Sequence, residues 1–145
     1  MKRLILLSIV AMLAACASTK PSSAERLAMY RASAGAPVKD FSYFGGLNGW
    51  QPLGDSALAV WTRPNQAYLL DLTGRCPDLE HAPSIMITNF GNRVSALDRV
   101  RPIGGASMPI SCRIKTISPL DLKSLKAAEE MRKAEVEDRK DDAGN

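Results

Sequence analysis

An apolar run of only ten residues, Leu4–Leu13, closely followed by a cysteine, sets what this chain can fold into. Lys2 and Arg3 precede the run. Two cations ahead of a short apolar segment are the layout of a secretory signal peptide. A membrane-spanning helix needs roughly 20 apolar residues at its 1.5 Å rise per residue, so a permanent transmembrane anchor is not expected. The folding unit lies C-terminal to the run, in whatever compartment the leader selects.

Leu13-Ala14-Ala15-Cys16 resembles the bacterial lipobox, in which a large apolar residue and two small ones precede a cysteine. The small side chains suit a peptidase pocket, and the thiol is the nucleophile that accepts a diacylglyceryl group. The resemblance implies lipidation of Cys16, cleavage of the bond before it and acylation of the new amine. Two or three acyl chains hold a protein firmly where a single chain binds marginally, at about 0.8 kcal/mol per buried methylene. The alternative is an ordinary signal peptide with an incidental cysteine. Ala17 comes directly after the cysteine. In resembling Gram-negative systems an aspartate there retains a lipoprotein at the inner membrane, so its absence favours the outer membrane, facing the periplasm.

Removing residues 1–15 from the 145 leaves 130, enough for one domain with extensions. Without Lys2 and Arg3 the 19 basic residues fall to 17 against 15 acidic ones, a net charge of about +2. That balance argues against a dedicated nucleic-acid binder, which carries a strongly basic surface. Cys76 and Cys112 remain, and an even cysteine count in an exported chain reads as a disulfide. Closing their 37-residue loop constrains the unfolded chain by about 4 kcal/mol on the chain-entropy model. Two buried free thiols or a metal pair are the alternatives, although a lone distant pair is poor for zinc.

From Ala17 to about Lys39 the chain is rich in Ala, Ser, Lys and Pro and reads first as a tether. Within it Ser22-Ser23-Ala24-Glu25 has capping-box spacing, which predicts a short helix over about 23–33, with Leu27 and Tyr30 or Arg31 on one face and Gly35 ending it. Phe41, Tyr43 and Phe44 lead to Asn48-Gly49, a dipeptide suited to a tight hairpin turn. Trp50 to Asp55 contains two breakers and reads as a bent connection. Ala57–Thr62 and Ala67–Leu72 form the clearest strand pair, and a four-residue loop, 63–66, would set Trp61 opposite Tyr68. A turn at 76–81 comes next, then strands at 85–88, within 98–103 and at 112–117. In the last, Cys112, Ile114 and Thr116 alternate with Arg113 and Lys115, which gives one buried and one wet face. A bridge from Cys76 to Cys112 would tie the central hairpin to this strand and close the sheet on itself.

The fold class is therefore mainly β: a small curled or barrel-like antiparallel sheet of five to six strands, OB-like or SH3-like, with a short N-terminal helix and a charged C-terminal helix. Ser118-Pro119-Leu120-Asp121 reads as the start of that last helix. Glu129–Lys133 and Glu135–Arg139 are spaced for ion pairs, and the apolar stripe of Leu120, Ala127, Met131 and Ala134 is thin. A solvated helix that contributes little to the sheet is expected. The organisation is thus a signal peptide (1–15), an anchor, tether and short helix (16–37), a β-domain (38–119) and a charged helix with a disordered tail (120–145).

Ala34-Gly35-Ala36-Pro37-Val38, Phe41, Gly49-Trp50 with Pro52-Leu53-Gly54-Asp55, Tyr68-Leu69-Leu70, Cys76 and Cys112-Arg113-Ile114 resemble an uncharacterised domain-of-unknown-function family of small exported proteobacterial proteins. The resemblance covers roughly residues 25–120. Many members look like lipoproteins or secreted proteins, which agrees with the reading of Cys16. The family carries no known active site and supplies no functional residues.

Chemistry is sparse. His81 is the single histidine, with Asp78 and Glu80 beside it, and a zinc site would need further ligands. A serine triad would require His81, with Ser84 three residues away and no G-x-S-x-G elbow. Gly45-Gly46 and Gly104-Gly105 do not continue into phosphate-binding patterns and read as turns. No metal or other cofactor is implied. Trp50, Trp61 and Tyr68, with the charged Asp98, Arg99 and Arg101, make up a candidate ligand face, against a plainer reading as core aromatics and edge-protecting charges. These features lead to a membrane-anchored, non-catalytic envelope lipoprotein that binds or supports another envelope protein or polymer. The alternative is a hydrolase of envelope polymers using carboxylates among Asp55, Asp71, Asp78 and Asp98.

Overall fold

The fold was analysed in a computed structural model, which describes residues 20–105 and 110–143. Cys16 and the leader lie outside the described residues. The chain runs α1 (Ser23–Ala32), β1 (Asp40–Ser42), β2 (Gly49–Pro52), β3 (Ala57–Arg63), β4 (Gln66–Leu72), a 3-10 turn (Leu79–His81), β5 (Ser84–Thr88), β6 (Arg93–Ser95), β7 (Arg99–Ile103), β8 (Cys112–Pro119) and α2 (Leu122–Ala143). Six strands form one curled antiparallel half-barrel sheet in the order β2-β3-β4-β8-β7-β5. The other two, β1 and β6, pair with each other as a separate ribbon.

Period-two burial along the strands sends one set of side chains into the concave side and the other outward. Inside are Leu58, Val60, Leu70, Leu72, Ile87, Val100, Ile114 and Ile117, capped by Phe41 and Val94 of the ribbon. Arg93 Nε donates to Asp40 Oδ1 at 2.7 Å across that ribbon and holds the Asp40 carboxyl below its ordinary value. Ala57, Ala59, Ala67 and Leu69 face outward, where Tyr30 of α1 and Leu125 of α2 cover them. The helices pack over the β2–β4 half of the outer face, where their buried partners lie on β3 and β4 and in Leu53 beside β2, and Ser118 near the end of β8 is buried on the same side.

The capping box forms as its spacing predicts: Glu25 N donates to Ser22 Oγ, and Ser22 N to Glu25 Oε2 at 2.7 Å. Ser33, not Gly35, caps the C-terminus of α1. Gly35 N instead donates to the Pro119 carbonyl at 2.8 Å, fixing the chain beside β8.

Several sequence expectations are overturned. Asn48-Gly49 is no hairpin turn, because β1 pairs with β6 and not with β2. The supposed connection at Trp50 belongs to β2, and the β2–β3 hairpin turns at Leu53–Ser56, where Leu53 N donates to the Ala57 carbonyl at 2.9 Å and Gly54 takes φ +92°. Trp61 lies opposite Ala67, and Tyr68 opposite Val60, because β3 is irregular between Trp61 and Arg63 and the loop tip is Pro64-Asn65. A one-residue shift sends a side chain to the other face of a sheet. Strand β8 continues through Pro119, with Ser118 buried opposite Leu69, so the helix starts later. Its cap is Asp121, whose Oδ1 accepts from Lys123 N at 3.0 Å and Ser124 N at 3.2 Å. Leu125 is buried at the first turn of α2, whereas Met131 of the expected stripe is exposed.

Cys76 and Cys112 are bonded, with Cα atoms 5.7 Å apart. Both are buried in the inner core. The bridge joins the segment after β4 to the first residue of β8, and β4 and β8 are already neighbours. It therefore staples the 3-10 turn region into the core and does not close the sheet, whose edge strands are β2 and β5.

Candidate functional site

The aromatic half of the candidate ligand face divides between the two sides of the sheet. Trp50, Val60 and Tyr68 sit side by side on β2, β3 and β4 with their side chains toward the concave core, and Tyr68 stacks on Phe41 with ring centroids 4.5 Å apart. Trp61 points outward and meets the edge of Tyr30 at 6.5 Å. These rings hold the ribbon and α1 to the sheet and do not form a shared platform. Asp98 is also structural: its carboxylate accepts from Ser95 N at 2.7 Å and Ser95 Oγ at 3.0 Å, closing the turn between β6 and β7.

The carboxylates considered for hydrolysis are only partly gathered. A cleft of about 460 Å³ beside the disulfide is lined by Asp55, Arg75, Cys76, Asp78, Glu80 and His81. Asp55 is paired with Arg75, and Glu80 accepts from Ser23 Oγ of α1. Asp78 takes a left-handed backbone, φ 63°, at the entry to the 3-10 turn. Asp71 lies elsewhere, on the outer face of β4, between Arg31 at 2.7 Å and Thr116 Oγ1 at 3.2 Å. Among the described residues no group of three or more His, Cys, Asp and Glu side chains is placed to hold a metal ion.

The remaining two residues of the face, Arg99 and Arg101, are brought into a larger cluster. On β7, Val100 and Pro102 are buried, so Arg99 and Arg101 project to the outer side. On β8, Cys112 and Ile114 are buried, so Arg113 projects outward too and stands directly opposite Arg99. Lys115 is exposed two residues further along β8. Met86 of β5 lies opposite Arg101 and is 47% exposed, with its sulfur 3.2 Å from Arg101 Nη2. Among the described residues, no carboxylate lies within ion-pair distance of Arg99, Arg101, Arg113 or Lys115. This basic strip occupies the exposed part of the outer face, away from the α1 and α2 contacts on β3 and β4. The sequence marks Arg113 and Lys115 as a wet strand face, but only the pairing of β7 with β8 joins them to Arg99 and Arg101.

No described helix is long and apolar enough to cross a membrane. No curated protein and no solved structure shows significant similarity to the chain. A family model matches residues 1–136, almost the whole sequence, and the chain belongs to that family of unknown function, DUF6491.

Proposed function

We propose that this protein is a lipid-anchored envelope lipoprotein whose β-domain is a non-catalytic binding or accessory module. The observation that carries the reading is Leu13-Ala14-Ala15-Cys16 at the end of a ten-residue apolar run. The Cys76–Cys112 bond adds support, since disulfides persist in oxidising compartments outside the cytosol. Ala17 favours the outer membrane, with the domain in the periplasm. A binding role is favoured over catalysis because Asp55, Asp71 and Asp98 are each committed to an ion pair or a turn. Labelling cells with palmitate tests the anchor: Cys16→Ser is expected to abolish incorporation and leave the precursor unprocessed, and normal labelling of that variant refutes the anchor.

A second reading, a hydrolase of envelope polymers, draws support from the cleft that gathers Asp55, Asp78, Glu80 and His81. Turnover of a purified envelope polymer that disappears in Asp78→Asn, with folding intact, would favour it over the binding module.

A further inference from the structure

We infer that the exposed outer face of β7, β5 and the first half of β8, carrying Arg99, Arg101, Arg113 and Lys115 around Met86, docks on the headgroup phosphates of an anionic phospholipid leaflet. Arg99 directly opposite Arg113 is a like-charge cross-strand pair, an arrangement that destabilises an isolated sheet. An anion seated between the two guanidinium groups reverses the sign of that interaction, and guanidinium binds phosphate oxygens through paired N–H donors. The described acidic side chains leave all four cations unpaired, so the field of the strip points into solvent.

Apolar groups rim the same region. Met86 sits within the strip. Leu97, 78% exposed, lies two residues before Arg99, and Phe90, 97% exposed, lies two residues beyond Thr88, the partner of Arg99 on β5. Cations interspersed with exposed apolar tips suit the headgroup and upper acyl region of a bilayer. Four cations spread over two paired strands fit a surface of many equivalent phosphates better than one shaped ligand.

This inference rests on the lipoprotein reading for the supply of a nearby leaflet. Six residue steps separate Cys16 from the helix cap Ser22, a reach of at most about 21 Å. Helix α1 lies on the same outer side of the sheet as the basic strip, so an acylated Cys16 keeps that side near the membrane.

Cosedimentation with vesicles tests it. The chain from Ala17 onward suffices, because both cores are built from Leu27 and later residues. Binding is expected to vesicles containing about one-third phosphatidylglycerol, weakly to phosphatidylcholine alone, and to be lost at high salt. Each cation removed from the face should lower partitioning about fivefold, and Arg99→Gln/Arg101→Gln/Arg113→Gln/Lys115→Gln should fall to the phosphatidylcholine level. Lys126→Gln/Lys133→Gln/Arg139→Gln/Lys140→Gln on α2 removes the same charge and should retain binding. Arg99→Lys/Arg113→Lys, which keeps the charge, should also retain it, and guards against a folding defect in the four-Gln variant. Equal losses in the α2 and face variants, or no preference for anionic vesicles, overturn the inference. So does binding confined to soluble short-chain phosphatidylglycerol or to an acidic envelope protein. If palmitate labelling fails while vesicle binding persists, the anchor falls and the docking face stands; the reverse result separates them equally well.

Discussion

Reducing the Cys76–Cys112 bond is the sharpest perturbation of the fold. The cysteines are 36 positions apart, and the loop they close contains β5, β6 and β7. It supplies Leu79, Ile87, Val94 and Val100, a large share of the inner core. Opening the loop adds about 4 kcal/mol of chain entropy to the unfolded state. Against a typical total of about 5–15 kcal/mol, the reduced domain should be marginal. For a domain of this size the loss corresponds to a fall of roughly 15 °C in Tm. Urea unfolding of the oxidised and reduced forms measures it directly, and the reduced form should also show a somewhat larger m value because its unfolded chain exposes more surface. Comparing the two redox states of one sequence separates the cross-link from side-chain loss. Cys76→Ala/Cys112→Ala should lose slightly more, since it also empties buried volume. A difference below about 1 kcal/mol between oxidised and reduced protein would refute the assignment of the bond as the staple of this core.

Leu125→Ala should cost about 2–3 kcal/mol, because that side chain is buried at the α2–sheet contact, while Met131→Ala on the exposed side should change stability by less than about 0.5 kcal/mol; thermal melts of both decide it. The Tyr30 phenol is pushed up to about 12, first by burial and then by the negative Glu129, so its contribution to stability is intact below the unfolded value near 10 and is lost as pH rises from there toward 12. Ultraviolet titration of the phenolate bands should therefore show a late-titrating tyrosine that Tyr30→Phe removes. Gly104→Ala should lose about 1–2 kcal/mol, because Gly104 has φ +83° and an added Cβ would sit 2.8 Å from Pro83 Cγ; Gly46→Ala, with open space around it, should be neutral in the same unfolding assay.

The legible part of the sequence is local. The capping box at Ser22 and Glu25 locates α1, and the alternation from Cys112 to Ile117 locates β8 and its buried side. Pro52 hides β2, because proline reads as a breaker. It stands on an edge strand, where its missing N–H need not disturb a ladder. The register of Trp61 and Tyr68 is not legible, because the irregularity after Trp61 leaves no mark in composition. The pairing of β1 with β6 joins three-residue strands about fifty positions apart, beyond any periodicity. Ser118-Pro119 carries a helix-start pattern, yet tertiary pairing with Leu69 and Tyr68 keeps both residues in β8. The candidate site divides in the same way. Arg99 and Arg101 are visible in sequence as a charged pair, while Arg113 and Lys115 belong to a separate strand that only sheet topology brings alongside.

Intact mass spectrometry of the protein extracted from its native membrane decides whether Cys16 is the lipidated N-terminus. The expected mass is that of a chain beginning at Cys16, heavier than its residues by a diacylglyceryl group and an N-terminal acyl chain, with two hydrogens fewer for the Cys76–Cys112 bond. A chain that retains residues 1–15, or one that begins at another residue and carries no lipid, would contradict it.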